Sequence, residues 1–236
     1  MNIVAILLAG GKGVRFGGSI PKQYIRVNNE CIITYCLKTI TDNRGIDGVR
    51  IVADPDFRDM ILDDARRFGV EMDKIAGFSM PGATNRQSSI MSAMKDIKDS
   101  SGKCDAVLIH DAARPFVTSS MIDSCLSALN EHDGAMPVLP MTDTVYMSED
   151  GKSVTSLLDR SKLFAGQAPE AFLFDKYYDA NLALSFEEFE NIKGSSEPAV
   201  MAGLDVALIP GNPGNIKITT KEDMGKLYQV FQCGNC

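Results

Sequence analysis

The sequence predicts an α/β protein with a mostly parallel sheet, helices on both faces of that sheet, and a protruding β-arm. Short apolar runs rich in β-branched residues alternate with longer helical patterns along the chain. The runs are apolar throughout rather than at every second position, which is typical of strands that helices cover on both faces. Alternation of this kind favours parallel pairing, and ligands then collect at the carboxyl ends of the strands.

The first half of the chain supplies most of the predicted elements. Buried strands are predicted over residues 3–9, 49–53, 106–110 and 135–139. Helices are predicted between them, over residues 32–40, 57–68, 86–98 and 120–131.

The stretch 142–163 departs from this alternation. Its polar alternation and a Glu149-Asp-Gly turn signal predict a β-arm or hairpin that leaves the main sheet. Beyond the arm we predict helices at 173–184 and 198–203, a strand at 206–209, a strand-like segment at 215–219 and a final helix from residue 221. No long polar linker divides the chain, so we expect a single domain over residues 1–236.

Composition and charge limit the class of protein. The 236 residues are 44% hydrophobic and 23% charged, as in an ordinary globular protein. The apolar run at residues 3–9 is too short to span a bilayer and leads into glycines, so we expect a cytoplasmic protein without a membrane partner. A net charge of −7 argues against nucleic acid as a partner. The six cysteines then fit reduced thiols, with Cys233 and Cys236 in a frayed tail.

A glycine-rich turn follows the first strand directly. The turn opens with Ala9 and contains Gly10, Gly11 and Gly13. The nearby cations are Arg15 and Lys22. Backbone N–H groups in such a turn close around phosphates, and the cations add charge where an α-phosphate would be attacked. The turn is not a Walker loop, since no Gly-Lys-Ser/Thr follows. It also differs from a dinucleotide-binding fingerprint, because an Arg and a Pro-Lys pair stand where a helix should begin after the third glycine.

A second motif, His-Asp-Ala-Ala-Arg-Pro, occupies residues 110–115. It places Asp111 at the end of a buried strand, where a carboxylate would bind Mg²⁺ that bridges phosphates. His110 fits a structural residue at the strand end, and Arg114 fits a salt-bridge partner of Asp111. Together the two motifs predict a magnesium and phosphate centre.

A series of motifs in register resembles the cytidylyltransferases that act on methylerythritol 4-phosphate or ribitol 5-phosphate. The motifs are Leu-Ala-Gly-Gly-x-Gly-x-Arg, Pro-Lys-Gln-Tyr, Gly82-x-x-x-Arg86-x-x-Ser89, the 110–115 motif, Thr142-Asp-Thr, Arg160, Gln167-x-Pro and Asn215-Ile-Lys-Ile-Thr. The resemblance runs from residue 3 to residue 225. It implies a Rossmann-like sheet of the nucleotide-diphospho-sugar transferase type, with CTP and a small sugar-alcohol phosphate as the bound molecules.

The resemblance also implies roles for individual residues. Arg15 and Lys22 would stabilise the pentavalent α-phosphorus, Asp111 would bind Mg²⁺, and residues 9–13 would hold the triphosphate. The remaining assignments are Gly82, Arg86 and Ser89 for reading cytosine, and Thr144, Arg160 and Lys217 for the acceptor phosphate. Arg114 is assigned to substrate binding. In relatives the arm exchanges between subunits, so we expect a homodimer formed through residues 142–163.

Three stretches depart from the family pattern. Gln167-Ala-Pro-Glu170 stands where Gln-Thr-Pro-Gln is frequent, Ser195-Ser-Glu-Pro replaces a Thr-Asp-Asp/Glu-Ala stretch, and Gly214 replaces an aspartate. These departures, with Leu-Ala-Gly-Gly and Gly166, favour ribitol 5-phosphate as the acceptor. Methylerythritol 4-phosphate is the alternative.

Two other classes of function remain open on the sequence alone. A nicotinamide-dependent reductase would use the glycine-rich turn and an acidic ribose ligand after the second strand, where Asp54 stands. An inactive nucleotide-binding module would explain the departures at Ala168 and Gly214. Release of pyrophosphate from CTP separates these possibilities.

Overall fold

The structure is a computed structural model that describes residues 1–11, 20–100 and 102–233. In chain order its strands are β1 (Ile3–Leu8), β2 (Arg26–Val27), β3 (Glu30–Cys31), β4 (Gly48–Val52), β5 (Ile75–Ser79), β6 (Ala106–Asp111), β7 (Gly134–Pro140), β8 (Val145–Met147), β9 (Ser156–Leu158), β10 (Phe164–Gly166), β11 (Glu170–Leu173) and β12 (Val206–Pro210). Its α-helices are α1 (Ile32–Asp42), α2 (Arg58–Arg67), α3 (Arg86–Asp99), α4 (Ser119–Ala128), α5 (Phe174–Leu182), α6 (Phe186–Asn191), α7 (Glu197–Met201) and α8 (Lys221–Cys233).

Eight strands form one sheet in the order β10-β7-β11-β6-β1-β4-β5, with β12 also paired to β7. Parallel pairs join β1 to β4 and β6, β4 to β5, and β12 to β7. Because β11 is antiparallel to both β6 and β7, those two strands run in the same direction. The prediction of a mostly parallel sheet with helices around it is confirmed.

Both faces of the sheet are buried, which explains why its central strands are apolar throughout. Successive residues of β1 point to opposite faces, and Leu7 packs in one hydrophobic cluster with Leu37 of α1. Ile6 packs in a second cluster with Ile90 of α3. All four side chains are fully buried, so each face of β1 is covered by a helix.

Three strands of the sheet, β5, β10 and β11, were not predicted. β5 contains Gly77 at φ +116°, beside an irregularity in its pairing with β4, and only Ser79 in it is buried. β11 is a short run placed directly before α5. None of the three carries the long β-branched pattern that marked β1 and β6, because β5 lies at the sheet edge and β10 and β11 have only three and four residues.

The segment 215–219 was predicted as strand-like, and this prediction is wrong in one respect. The segment is extended but pairs with no strand among the described residues. It is attached instead to the turn after β6, where Ile218 N donates to Ala113 O at 2.8 Å. Its alternating side chains therefore reflect packing beside a turn rather than membership of the sheet.

The predicted arm contains an antiparallel hairpin of β8 and β9, separate from the main sheet. Met141 N donates to Leu163 O at 3.1 Å and closes the base of the arm. The arm therefore leaves the sheet after β7 and returns at β10. Within the described residues, no helix has the length and apolar character that crossing a bilayer requires.

Candidate active site

The glycine-rich turn and the segment after β5 meet at the carboxyl edge of the parallel strands. A Cβ atom on Gly10 would lie 2.6 Å from Cβ of Pro81, so only glycine permits this contact. Arg15 and Gly13, predicted for this turn, lie outside the described residues. The described part of the turn is nevertheless held close to residues 82–89.

Gln23 and Tyr24 fix the start of the turn from behind. Gln23 Nε2 donates to Ala9 O at 2.6 Å and to Gly11 O at 2.9 Å, and Tyr24 Oη donates to Ala9 O at 2.9 Å. Both residues follow Lys22 in a 3-10 turn and are buried. Ala9 N also donates to Val52 O at 2.9 Å, so the start of the turn is fixed on both its N–H and its carbonyl side.

The 82–89 segment leads into the amino end of α3. Asn85 caps the helix by accepting from Ser88 N at 2.8 Å, and Ser88 Oγ accepts from Asn85 N in return. Ser89 Oγ accepts from Gly82 N at 2.9 Å. The structure therefore brings Gly82 and Ser89 together.

Three cations surround Asp111 at the end of β6. Arg86 Nε lies 3.0 Å from Oδ1, Lys217 Nζ lies 2.8 Å from Oδ2, and Arg114 Nε lies 3.8 Å from Oδ2. The Asp111 side chain is only 12% exposed. Although burial by itself would raise the pKa of Asp111, the charges of Arg86 and Lys217 hold it far below its usual range.

Arg86 reaches this carboxylate from the first turn of α3. It was predicted to take part in reading cytosine, whereas its side chain contacts Asp111 in this structure. Lys217 and Arg114 reach the same carboxylate from the 215–219 segment and from the turn after β6. Arg114 Nη1 also donates to Asn215 O at 2.7 Å, so the turn and the segment form one rigid unit.

His110 has a structural position, in agreement with the sequence analysis. Its ring is fully buried, and Nε2 lies 3.0 Å from Arg114 O. Burial lowers the pKa of His110 to about 4, so the ring is neutral near pH 7 and accordingly donates to this carbonyl. Asp54, which a reductase would need for ribose, instead caps a 3-10 turn by accepting from Asp56 N at 3.1 Å.

The two predicted residues of the arm lie apart from the Asp111 group. Arg160 Nη1 donates to Thr142 O at 2.6 Å across the base of the arm. No hydrogen bond or ion pair between described residues links Thr144 or Arg160 with Arg86, Asp111 or Lys217. Within this chain, therefore, the described residues bring Arg86, Asp111, Arg114 and Lys217 together, and the two arm residues lie outside that group.

A buried carboxylate beside the site was noted in the sequence only as a departure from the family. Glu170 begins β11, and its Oε1 accepts from Ser195 Oγ at 2.5 Å. Burial raises the pKa of Glu170, while Arg86, the hydrogen bond from Ser195, and Arg114 act against that rise. Two of the three departing stretches thus contact each other.

The mostly parallel sheet, the glycine-rich turn and the cation-ringed carboxylate at one strand edge define a phosphate-binding α/β nucleotidyltransferase. The sequence profile of the family described as "2-C-methyl-D-erythritol 4-phosphate cytidylyltransferase" matches residues 3–230. The chain belongs to this family of CTP-dependent enzymes.

Similar proteins agree with that membership. A 2-C-methyl-D-erythritol 4-phosphate cytidylyltransferase from Roseobacter denitrificans is 34% identical, with 98% of each chain covered. A bifunctional enzyme IspD/IspF from Paramagnetospirillum magneticum is also 34% identical, over 97% of this chain and 56% of that enzyme, so this chain spans about half its length. The solved structure of a 4-diphosphocytidyl-2C-methyl-D-erythritol synthase from Anaerococcus prevotii has a TM-score of 0.81 at 25% identity, covering 98% of this chain and 96% of that one.

These relatives do not support the preference for ribitol 5-phosphate that the sequence departures suggested. The name of the Roseobacter denitrificans relative specifies 2-C-methyl-D-erythritol 4-phosphate, which was the alternative, and that of the Anaerococcus prevotii structure specifies a methylerythritol derivative. The departures at Glu170 and Ser195 are buried partners of each other, so they have a packing role within this chain.

Proposed function

We propose that this chain transfers CMP from CTP to 2-C-methyl-D-erythritol 4-phosphate and releases pyrophosphate. The observation that carries the proposal is the Asp111 carboxylate among Arg86, Arg114 and Lys217, at the same edge as the glycine-rich turn. Three cations around one carboxylate leave positive charge for phosphates. Membership of the family supports both the reaction and the acceptor.

The reaction requires little covalent chemistry from the protein. The acceptor phosphate is largely ionised near neutral pH, so no general base is needed. One of its oxygens attacks the α-phosphorus of CTP in line; the new P–O bond forms as the bond to the bridging oxygen breaks, and pyrophosphate leaves with the electron pair. We assign Arg15 and Lys22 to neutralise the charge on the α-phosphorus in the transition state.

The donor set fits a Mg²⁺ ion held mainly by the substrate. No three His, Cys, Asp or Glu side chains in the described part of the chain form a metal-binding group. Mg²⁺ commonly takes one or two carboxylates together with phosphate oxygens and water, so a single carboxylate suffices. Asp111 would supply it, and the bound ion would reduce the negative charge of the triphosphate.

We assign Lys217 and Arg114 to the acceptor phosphate from within the subunit, and Thr144 and Arg160 from the arm of a second copy. The arm supports a homodimer because it exposes large apolar side chains, with Tyr146 59% and Leu157 65% exposed. Such side chains on a hairpin outside the core are typical of an interaction surface. An arm that crosses to the partner would complete the acceptor side of the partner's site.

The proposal is tested by pyrophosphate release from CTP and Mg²⁺ with 2-C-methyl-D-erythritol 4-phosphate, ribitol 5-phosphate and glycerol 3-phosphate in parallel. We expect kcat/KM to be highest with the methylerythritol compound. UTP should react at least tenfold less efficiently, because a pocket built to pair with the cytosine amino group leaves polar groups unmatched when uracil binds. A higher efficiency with ribitol 5-phosphate would overturn the acceptor, and no release with any of them would favour an inactive module.

A further inference from the structure

Glu170 is a buried carboxylate beside the site that the reaction above does not use. It lies opposite Ile109 of β6 in the antiparallel pairing, so it shares a sheet face with Asp111, two residues further along β6. Ser195 occupies Oε1, while Oε2 is buried and has no hydrogen-bond partner among the described residues. A buried carboxylate oxygen without a partner is costly, so a role for it is expected.

Arg86 is the cation best placed to use this oxygen. Its charge is the largest influence that opposes the rise of the pKa of Glu170 on burial, although the two are not in ion-pair contact. In this structure Arg86 donates instead from Nε to Asp111 Oδ1. Arg86 therefore lies in the field of two carboxylates on one sheet face and is bonded to only one of them.

Both Asp111 oxygens have a cationic partner in this structure. Arg86 Nε lies 3.0 Å from Oδ1 and Lys217 Nζ lies 2.8 Å from Oδ2, so a divalent cation at either oxygen would lie beside a positive charge. A cation at Oδ1 would also stand next to the Arg86 guanidinium, and like charges at such a distance in a buried site repel strongly. Movement of Arg86 relieves this repulsion, and its side chain, which is only 30% exposed, is stabilised by a second anionic partner.

We propose that Glu170 is a positioning residue that receives Arg86 at Oε2 when Asp111 binds the divalent cation of the CTP complex. The inference rests on the proposed function, because it assumes that Asp111 binds the cation. Exchange of Arg86 between the two carboxylates opens Oδ1 while Arg86 keeps an anionic partner. It also gives the buried Oε2 atom the partner that it lacks in the free protein.

The first test measures Tm against Mg²⁺ concentration at saturating CTP for the wild-type chain, Glu170→Gln and Ser195→Ala. The quantity compared is the Mg²⁺ midpoint, the concentration that gives half of the full rise in Tm. The amide of Glu170→Gln keeps the shape but not the charge, so we expect this Mg²⁺ midpoint to increase at least tenfold. Ser195→Ala removes the partner of Oε1 and leaves the Glu170 charge, so its midpoint should stay within threefold of wild type. Equal midpoints in Glu170→Gln and wild type would overturn the proposal, as would equal increases in both variants, which would indicate a merely structural role.

The second test is a crystal structure of the wild-type chain with Mg²⁺ and CTP. We expect an Arg86 guanidinium nitrogen within hydrogen-bond distance of Glu170 Oε2, and Arg86 no longer on Asp111 Oδ1. Arg86 still bonded to Oδ1 with the ion on Asp111 would overturn the exchange while leaving the proposed function intact. Absence of any Mg²⁺-dependent rise in the wild-type Tm with CTP would overturn both.

Discussion

Lys217 Nζ lies 2.8 Å from Asp111 Oδ2, and this contact joins the 215–219 segment to the end of β6. Asp111 is also the meeting point of Arg86 and Arg114, which come from α3 and from the turn after β6. One carboxylate thus holds three cations that would otherwise repel one another. Its charge therefore matters for stability as well as for catalysis.

The first prediction concerns that charge. Asp111→Asn should lower the free energy of unfolding by about 3 kcal/mol, because it leaves three partly buried cations without their anion. The protein should remain folded but lose most of its turnover, since an amide is a poor ligand for Mg²⁺. Lys217→Gln is the matched control: it removes one of the three cations and should cost about 1 kcal/mol at most. Urea denaturation measures both, and an unchanged midpoint in Asp111→Asn would contradict the prediction.

The second prediction concerns Gly82, which packs against the first turn of α3. A Cβ atom there would lie 2.3 Å from the Ser88 carbonyl carbon, a contact that only backbone movement can relieve. Gly82→Ala should therefore destabilise the chain by about 2 kcal/mol and weaken CTP binding. Gly11→Ala is the control, since nothing lies within 4 Å of its added carbon. Similar Tm values for the two variants would show that the segment adapts without cost.

The third prediction concerns the support of the glycine-rich turn. Gln23→Ala removes hydrogen bonds to both Ala9 O and Gly11 O and leaves these oxygens without this partner. We expect KM for CTP to rise tenfold or more, because two lost hydrogen bonds at about 1 kcal/mol each amount to about 2 kcal/mol. Tyr24→Phe removes one bond to Ala9 O but keeps the stacking of its ring on Phe57, so its effect should be smaller. Steady-state kinetics with varied CTP would detect the difference, and a larger effect of Tyr24→Phe would count against the account.

The fourth prediction concerns pH. The pKa of His110 is about 4 in the folded protein and about 6.5 when exposed, so the unfolded chain binds the additional proton between these values. Stability from burying the neutral ring is therefore complete above pH 6.5 and is lost as the pH falls towards 4, by about 3 kcal/mol in total. His110→Gln should flatten this part of the profile of unfolding free energy against pH. A profile that keeps its slope in the variant would assign the loss to other groups.

The sequence predicted the parts of this molecule whose signal is local. β1 and β6 follow from long apolar runs, and Asp111 was placed at a strand end because the run of β6 stops there. Contacts between distant residues left no such signal. Nothing in the sequence indicates that Arg86 turns towards Asp111, or that Glu170 is buried against Ser195, since both depend on how β6, α3 and β11 pack.

The last prediction concerns the arm and the acceptor pocket together. If Thr144 and Arg160 act in the partner's site, neither Arg15→Ala nor Arg160→Ala should be active alone, because each homodimer lacks one of the residues in every site. A mixed dimer contains one site in which both residues are intact, so activity should partly return after the two variants exchange subunits. In an equal mixture half of the dimers are mixed and one of their two sites is whole, which sets the expected recovery at about a quarter of wild-type activity. Native mass spectrometry measures the share of mixed dimers. The control is a double variant that carries both substitutions, mixed with the wild-type chain. If the arm acts in trans, mixed dimers of this control contain no whole site. Mixed dimers without recovered activity would place Arg160 in the site of its own subunit or outside the site altogether.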